Sequence, residues 1–294
     1  MKVGFIAVLG LPNAGKSTLI NAMLSKKVSI VSHKAQTTRD NILGILNEKG
    51  YQFVFIDTPG IYMGKEKLDQ HMRHEAYSSS RDAEVVLYLI DASNKELEKD
   101  FTIIKGLRSE SKLFILLNKI DLIRPDEAIS IKERIKSELP GYELIETSFL
   151  KNFGIKEVKE AIKPYLIESE PFYPDDMFTD KDHAYQCKEI IREKMLHFLN
   201  KEIPHQSAVK IDSLAKEDGG YLIKATIGVE KENHKAIVIG KAGSMIKKIS
   251  MASRHELEKM WHEHITSLEV KVEYVPNWRN NPKLLMEFGY GDKR

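Results

Sequence analysis

The sequence predicts an α/β fold with a mostly parallel sheet and helices on both of its faces, followed by a smaller α+β domain. Two observations support this prediction. Through the first 166 residues, apolar runs alternate with helical patterns, and such alternation is typical of a parallel sheet covered by helices. Residues 169–176 then interrupt the periodicity with two prolines and three acidic residues, which is typical of a linker.

The elements of the first half are predicted in chain order from hydrophobic periodicity. Near-continuous apolar runs indicate central strands at 3–9, 53–57, 85–91 and 113–118. Helical patterns lie at 18–24, 69–80, 98–109 and 127–139. Residues 43–47 and 51–56 flank a polar turn, so we expect a hairpin that adds one antiparallel edge strand.

The second half predicts a different arrangement. We expect a helix at 184–201, strands at 208–216, 221–230 and 236–239, a long helix at 244–264, a last strand at 268–275 and a short helix within 279–290. The predicted domains are therefore 1–166 and 181–294, joined by a linker at 167–180. No internal repeat is visible in the sequence, which excludes a second nucleotide-binding domain.

Composition gives weaker guidance. The 294 residues carry a formal net charge of +2, so overall charge favours neither a strongly basic nor a strongly acidic partner. The single cysteine, Cys187, cannot form a disulfide framework, and its helical apolar surroundings predict a packing role in a reducing compartment. No leader segment and no apolar run of membrane-spanning length is visible, so we expect a cytoplasmic protein.

The most informative stretch is 10–17, which has the sequence GLPNAGKS and lies between a predicted strand and a predicted helix. This is the spacing of a phosphate-binding loop. Backbone N–H groups at a helix N-terminus supply donors, and glycines allow a close approach of phosphate to the backbone. Lys16 adds a cation, and the Ser17 hydroxyl can hold Mg²⁺. The loop predicts a nucleoside triphosphate site without specifying the base.

Magnesium and the γ-phosphate have further candidate partners. Asp57 ends a predicted strand in the sequence Asp-Thr-Pro-Gly, where a carboxylate can reach Mg²⁺ through water. In the same motif, Gly60 can offer its N–H to a γ-phosphate. Thr38, in the polar segment before the hairpin, could complete the Mg²⁺ shell, with Thr37 as the alternative.

The sequence Asn118-Lys119-Ile120-Asp121 ends another predicted strand and favours guanine. The Asp121 carboxylate can accept from both N1–H and the exocyclic amine of guanine, and adenine offers no such pair of donors. Because the wrong base would leave this carboxylate unpaired, the site would discriminate strongly. Ser148, after the run 144–147, occupies the expected position of a second base-contacting loop.

These motifs, in this order, resemble the translation-factor-like GTPases and, among them, the Era family. The resemblance covers the whole chain. The segment Lys34-Ala35-Gln36-Thr37-Thr38-Arg39 is similar to the family's switch I, which we expect to span about 29–40, and the tail from Pro276 to Tyr290 is similar to its C-terminus. The resemblance implies a P-loop GTPase domain followed by a type II KH domain that binds single-stranded RNA. It also implies a role in maturation of the small ribosomal subunit. The expected partner is a 30S-type precursor, whose ribosomal RNA would be contacted near its 3′ end.

The resemblance also assigns roles to individual residues. GTP is expected to contact Asn13, Ala14, Gly15, Lys16, Ser17, Thr18, Asp57, Gly60, Asn118, Lys119, Asp121, Ser148 and Phe149. Catalytic roles are expected for Lys16, Thr38, Gly60 and Asn13, and Mg²⁺ is expected at Ser17, Thr38 and, through water, Asp57. At Phe149 the chain departs from the family pattern, because a small alanine usually follows the serine.

The RNA site is expected around the sequence Gly240-Lys241-Ala242-Gly243. Small residues before a helix N-terminus let an RNA backbone pass close by, and KH domains clamp about four nucleotides in this way. Lysines near this loop are expected to contact RNA, and they are Lys235, Lys241, Lys247 and Lys248. Arg254 belongs to the same basic cluster in the sequence, although a solvated helix face is the plain alternative for these charges.

Hydrolysis is expected to be slow. Ile61 stands where Ras-like enzymes carry a glutamine that orients water, and isoleucine cannot hydrogen-bond a water molecule. The water must then be held by backbone, a partner or an ion. Related GTPases with an asparagine at the place of Asn13 bind K⁺ beside the phosphates, so Asn13 is a candidate K⁺ ligand, with loop capping as the alternative.

Other interpretations remain open from the sequence. The second domain of such a GTPase could bind protein or membrane in place of RNA, and some members of the family associate peripherally with the membrane. The expectation for this chain is a monomer in the cytoplasm, with the inner face of the cell membrane as a second location. A small-molecule kinase is disfavoured, because the sequence from Asn118 to Asp121 favours guanine and no acceptor pocket is evident.

Overall fold

The structure is a computed structural model that describes residues 1–34, 36–62, 64–107 and 110–290. Ala35 of the predicted switch I, the end of the helix predicted at 98–109 and the last four residues of the predicted second domain lie outside the described residues. Among the described residues, one compact unit holds 1–62 and 72–180, and the other holds 64–71 and 181–290.

The first unit is the predicted α/β domain. Its strands are β1 (Lys2–Gly10), β2 (Ile42–Glu48), β3 (Tyr51–Asp57), β4 (Val85–Asp91), β5 (Lys112–Asn118), β6 (Glu143–Glu146) and β7 (Ile167–Glu168). Its helices are α1 (Lys16–Leu24), most of α2 (Lys67–Asp82), α3 (Glu98–Gly106), α4 (Pro125–Glu138) and α5 (Ile155–Ile162).

The sheet has the order β2-β3-β1-β4-β5-β6. Strands β3, β1, β4, β5 and β6 run parallel, and β2 pairs antiparallel to β3 in the expected hairpin. The apolar runs that predicted the central strands are buried because each face of the sheet packs against its own core cluster. The parallel order brings the carboxyl ends of β1, β3, β5 and β6 to one edge, which is where loops of α/β sheets bind ligands.

The segment 167–180, expected to be a linker, lies along the first unit. Strand β7 pairs antiparallel with the start of β1. Farther on, the Ile45 N–H donates to the carbonyl of Phe178 at 3.0 Å. The Gln52 amide donates to the Tyr173 carbonyl at 2.8 Å and accepts from the Phe172 N–H at 2.7 Å. These bonds attach residues 167–180 to the first unit, which therefore extends beyond its predicted end at residue 166.

The second unit contains the three-stranded sheet of the predicted α+β domain. Its elements are α6 (His183–Phe198), β8 (Ser207–Glu217), β9 (Gly220–Val229), α7 (Glu232–Ile239), α8 (Ser244–Trp261), β10 (Ile265–Tyr274) and α9 (Pro282–Glu287). The sheet order is β10-β9-β8, with β10 parallel and β8 antiparallel to β9. Along the chain these elements are a helix, two strands, two helices and a strand, followed by the short helix α9 in the tail.

The strand predicted at 236–239 is wrong, because these residues end α7. Its β-branched residues favoured a strand, but the burial pattern has a helical spacing. His234 and Val238, four residues apart, are buried, whereas Ile237 between them is 49% exposed. The Gly240 N–H closes the last turn on the Ala236 carbonyl at 2.9 Å. Burial of one helix face therefore overrides the local strand propensity.

The C-terminal tail forms part of the core of the second unit. Trp278 is fully buried, and its ring packs edge-on against Phe288 with centroids 5.5 Å apart. A Cβ at Gly228 would lie 2.5 Å from the Phe288 ring, so β9 needs glycine where the tail crosses it. On α6, Cys187 is also fully buried, and burial raises the pKa of its thiol to about 12, in keeping with a packing role.

The segment 64–71 joins the second unit through an ion-pair cluster that the sequence did not predict. Arg279, in the tail, lies 2.5 Å from Glu66 through Nη1 and donates from Nε to Glu230 at 2.8 Å. The Lys67 N–H also donates to Asn280 Oδ1 at 3.2 Å. Two carboxylates thus share one guanidinium, which fits the planar donor geometry of arginine.

A buried carboxyl links helix α3 to the sheet of the first unit. Asp100 is 2% exposed, and its Oδ1 accepts from the Tyr88 hydroxyl at 3.0 Å. Burial raises the pKa of Asp100 from 3.8 to about 6. Because the native pKa lies above the unfolded value, the stability that this group contributes is present below about pH 4 and is lost as the pH rises through 6.

We therefore expect Asp100→Asn to stabilise the protein at pH 7 by about 1–3 kcal/mol, since a pKa shift of about two units corresponds to about 3 kcal/mol. The amide keeps an acceptor for Tyr88 and cannot ionise. Urea denaturation of variant and parent at pH 4 and pH 7 measures the effect. Equal differences in unfolding free energy at the two pH values would contradict this role of Asp100.

Candidate functional site

A cavity of about 320 Å³ opens at the carboxyl edge of the first unit's sheet. Its walls come from the loops after β1, α1, β3, β5 and β6. Most of the predicted GTP contacts line it, namely Asn13, Gly15, Lys16, Ser17, Thr18, Gly60, Asn118, Lys119, Asp121, Ser148 and Phe149. Ala14 and Asp57 lie behind the wall and are fully buried.

The phosphate-binding loop is shaped by its glycines and its lysine. Gly15 has φ +103° and caps α1, a left-handed conformation that favours glycine. A Cβ there would also lie 2.3 Å from the Asn118 amide. Lys16 Nζ donates to the carbonyls of Gly10 at 3.2 Å and Leu11 at 3.1 Å, so the ammonium lies inside the loop. Burial lowers the pKa of Lys16 to about 8.

Three oxygen-bearing side chains converge at the start of α1. Ser17 Oγ donates to Asp57 Oδ2 at 2.8 Å and lies 3.0 Å from Thr38 Oγ1. Burial raises the pKa of Asp57, and hydroxyl hydrogen bonds and the Lys16 charge oppose that rise. Asp57 Oδ1 is buried without a hydrogen-bond partner. An unsatisfied carboxylate oxygen beside two hydroxyls fits the oxygen ligands that Mg²⁺ prefers.

The two candidate threonines of switch I have different surroundings. Thr38 is 6% exposed, with its hydroxyl toward Ser17. The Thr37 hydroxyl instead donates to the carbonyl of Lys34 at 2.7 Å, within a local turn. Thr38 therefore has the geometry of a metal ligand, and Thr37 has the geometry of a turn residue.

The predicted base-recognition loops meet through Asp121. The Ser148 hydroxyl donates to Asp121 Oδ1 at 2.5 Å, which holds the carboxylate at the cavity wall. Lys119 has φ +65°, and its ammonium pairs with Asp91 Oδ2 at 2.6 Å. The aliphatic stem of Lys119 is thereby fixed beside Asp121, and a planar base could pack on it.

Asn118 connects three loops of the site. Its amide donates to the Ala14 carbonyl at 2.8 Å, and its Oδ1 accepts from the Phe149 N–H at 3.3 Å. The Phe149 ring is buried in the core under α1, whereas Leu150 is 77% exposed. The larger residue that departs from the family pattern thus points into the core, and its backbone takes part in the loop contact.

Asn13 belongs to the phosphate loop, and Ile61 contacts the first residue of that loop. Asn13 has φ +66°, and its amide donates to the His33 carbonyl in switch I at 2.8 Å. Ile61 is 2% exposed, and its N–H donates to the Gly10 carbonyl at 3.2 Å. Neither the buried side chain nor the bonded N–H of Ile61 is available to orient a water molecule. Gly60 passes so close to Pro12 that a Cβ would lie 2.9 Å from its Cα.

Sequence reasoning missed several supporting residues of this site. Asp91, at the end of β4, orients Lys119, and Thr147 Oγ1 lies 3.3 Å from Asn118 Oδ1. Ser29 and Asn21, which support the region around Asp57, were also not singled out. Asp91 could have been found as a carboxylate at the end of an apolar strand, the same signal that identified Asp57. Thr147, Ser29 and Asn21 carry no such signal.

The predicted RNA loop lies in the second unit at the start of α8. Gly240 and Gly243 have φ +75°, and Ala242 has φ +50°. Lys241, Lys247 and Lys248 are exposed, and Lys235 is half-buried. Lys248 lies 4.3 Å from the centre of the Phe198 ring, and Arg254 pairs with Glu258 at 3.2 Å. Arg254 therefore contributes less free positive charge than the sequence cluster suggested.

Comparisons with known proteins identify both units. Residues 5–119 match the family described as 50S ribosome-binding GTPase, and residues 202–279 match the KH domain. GTPase Era from Clostridium kluyveri is 43% identical over 293 residues, covering 99% of each chain. This chain belongs to the Era family of GTPases. GTPase Era from Syntrophus aciditrophicus is 40% identical over 294 residues, which cover 99% of this chain and 96% of that protein.

Solved Era structures have the same fold. One, an Era complex with MgGDPNP and nucleotides 1506–1542 of 16S ribosomal RNA, has a TM-score of 0.93 and 38% identity and covers 99% of this chain and 100% of that chain. A variant of Aquifex aeolicus Era bound to GDP and AlF4⁻ has a TM-score of 0.93 and 37% identity, with the same coverage. The predicted fold class and the resemblance to the Era family are confirmed.

Proposed function

We propose that this Era-family chain binds and hydrolyses GTP with Mg²⁺ and binds small-subunit ribosomal RNA near its 3′ end through its KH domain, in maturation of that subunit. The convergence of Ser17, Thr38 and Asp57 beside the phosphate loop is the observation that carries the GTPase assignment. The Era complex with Mg²⁺, a nucleotide and 16S RNA supports the choice of cofactor and RNA.

We infer a role for each residue at the phosphate end of the site. Ser17 and Thr38 would hold Mg²⁺ directly and Asp57 through water, and the ion neutralises charge on the β- and γ-phosphates when bound. Lys16 supplies a second positive charge in a buried loop, where it acts with little screening. Gly60 offers backbone to the γ-phosphate. A threonine that reaches the metal only beside a γ-phosphate would order switch I in the GTP state and release it after hydrolysis.

The base end explains the choice of guanine. The Asp121 carboxylate, oriented by Ser148, would accept from both donors of the guanine edge. Lys119, pinned by Asp91, would pack its stem against the ring. Asn118 bonds both the phosphate loop and the loop that carries Ser148. It would therefore affect base binding by positioning these loops.

Only general features of the chain bear on its location in the cell and its partners. Within the described ranges, no helix is both long and apolar enough to cross a bilayer. The single thiol is buried and unpaired with another cysteine. We infer a cytoplasmic monomer that works on 30S-type precursors, with peripheral membrane contact as an additional location.

The guanine assignment predicts the effect of Asp121→Asn. The variant amide cannot accept from both guanine donors, so we expect GDP affinity to fall by about 10–100-fold, the cost of a polar group that is left unpaired once the base covers it. It can donate to the 2-oxo group of xanthine, so affinity for xanthosine diphosphate should rise. Calorimetry with both nucleotides measures this. Asp126→Asn, an exposed carboxylate on α4, is the control, and unchanged GDP preference in Asp121→Asn would refute the role of Asp121.

The RNA assignment predicts a larger loss of RNA affinity for one of two substitutions at Gly243 than for the other. Asparagine and aspartate both tolerate the left-handed conformation of this residue, and a Cβ there meets no atom within 4 Å. Gly243→Asp would place a carboxylate against phosphate, so we expect RNA affinity to fall about tenfold more than in Gly243→Asn, less so at high salt. Filter binding with single-stranded RNA from the 3′ end of 16S RNA measures both. Equal affinities would show that RNA does not cross this loop.

Potassium stimulation is the proposed function of Asn13. We expect GTP hydrolysis to be about tenfold faster in K⁺ than in Na⁺ at equal ionic strength, a part of the 10³–10⁵ that a complete arginine finger supplies. Asn13→Gly keeps the φ of +66° accessible and removes the side chain, so it should abolish the difference between the two salts. Equal rates in K⁺ and Na⁺ for the unmodified protein would refute the role of Asn13 in K⁺ binding and would favour its alternative role as a loop cap.

A further inference from the structure

Ser29 is a buried hydroxyl that the nucleotide site described so far does not use. It lies between α1 and β2 at the beginning of the predicted switch I, and it is 1% exposed. Residues 30–33 line the cavity, whereas the Ser29 hydroxyl interacts with the buried carboxyl of Asp57. A serine this deeply buried needs a partner for its hydroxyl.

The backbone of Ser29 is held from both sides by one side chain of α1. Asn21 Oδ1 accepts from the N–H groups of Ser29 at 3.0 Å and Val28 at 2.8 Å. The Asn21 amide donates to the Ser29 carbonyl at 2.8 Å. These three bonds satisfy the backbone and fix the position of the Cα. The hydroxyl is therefore presented from a rigid support.

Two buried oxygens in this region, Ser29 Oγ and Asp57 Oδ1, have no hydrogen-bond partner. The Ser29 hydroxyl interacts with the Asp57 carboxyl and lowers its pKa. The geometry falls short of a hydrogen bond, since neither Ser29 Oγ nor Asp57 Oδ1 has a partner. The other carboxylate oxygen, Oδ2, is already bonded to Ser17. Leaving two such groups unsatisfied is costly in a native structure, so a polar occupant is expected between them.

We propose that Ser29 is a positioning residue for Mg²⁺, whose hydroxyl and Asp57 Oδ1 together hold one water molecule of the metal's shell. This rests on the proposed function, because it requires Mg²⁺ at Ser17 and Thr38. A bound water needs two to four polar partners. The carboxylate would accept one hydrogen bond from the water and the serine oxygen would accept the other, which leaves the oxygen of the water available to the metal. Asn21 acts on the metal only through Ser29.

The groups that orient metal-bound atoms typically change metal affinity by 10–100-fold when they are removed. Ser29→Ala removes only one oxygen from a buried site and leaves the backbone bonds to Asn21 in place. We expect the Mg²⁺ concentration that half-maximally slows release of a non-hydrolysable GTP analogue to rise about tenfold. Affinity for this analogue in EDTA should stay within about twofold of the unmodified protein, which also reports that the variant is folded.

The experiment measures release of a fluorescent, non-hydrolysable GTP analogue across a Mg²⁺ titration for the unmodified protein, Ser29→Ala, Asp57→Asn and the exposed α4 control Ser137→Ala. A higher Mg²⁺ midpoint for Ser29→Ala and an unchanged midpoint for Ser137→Ala support the proposal. If Asp57→Asn loses the response to Mg²⁺ and Ser29→Ala keeps the unmodified midpoint, the role of Ser29 is refuted and the proposed function stands. If release of the analogue from the unmodified protein does not respond to Mg²⁺, both fail.

Discussion

The candidate site depends on one buried amide. Asn118 ends β5 and bonds the carbonyl of Ala14 in the phosphate loop and the N–H of Phe149 in the base loop. These loops follow β1 and β6, so a single side chain sets the distance between the phosphate and base ends of the cavity. Because both bonds are buried, their loss would leave unsatisfied groups in two loops at once. The parallel sheet matters to function because it delivers the ends of these strands to the same edge.

Burial shifts the pKa values of the charged groups in this site. Lys16 and Asp57 lie out of water, and burial disfavours the charged form of each. Each already attracts the other, and a phosphate group beside Lys16 and a divalent cation beside Asp57 would add further opposite charges. A magnesium nucleotide would thus favour the charged form of both residues. It would also give the buried oxygens around Asp57 the partners that they lack.

The sequence predicted the first unit well because its signals are local. Apolar runs located the buried strands, and Asp57, Asn118 and Asp121 were recognised because each follows such a run. The strand expected at 236–239 failed because β-branched composition cannot reveal which face of a helix will be buried. The bonds from Gln52 to the segment near Tyr173 join residues more than a hundred positions apart, and no local pattern reports them. Ser29 was missed for the same reason, since its importance comes from Asn21 and Asp57.

The most direct test of the central claim is calorimetry of GDP and ADP binding to the full chain in the presence of Mg²⁺. A site in which Asp121 reads the guanine edge and Lys16 holds the phosphates should bind GDP at least about a hundredfold more tightly than ADP. Equal affinities for the two nucleotides would contradict the account of this site.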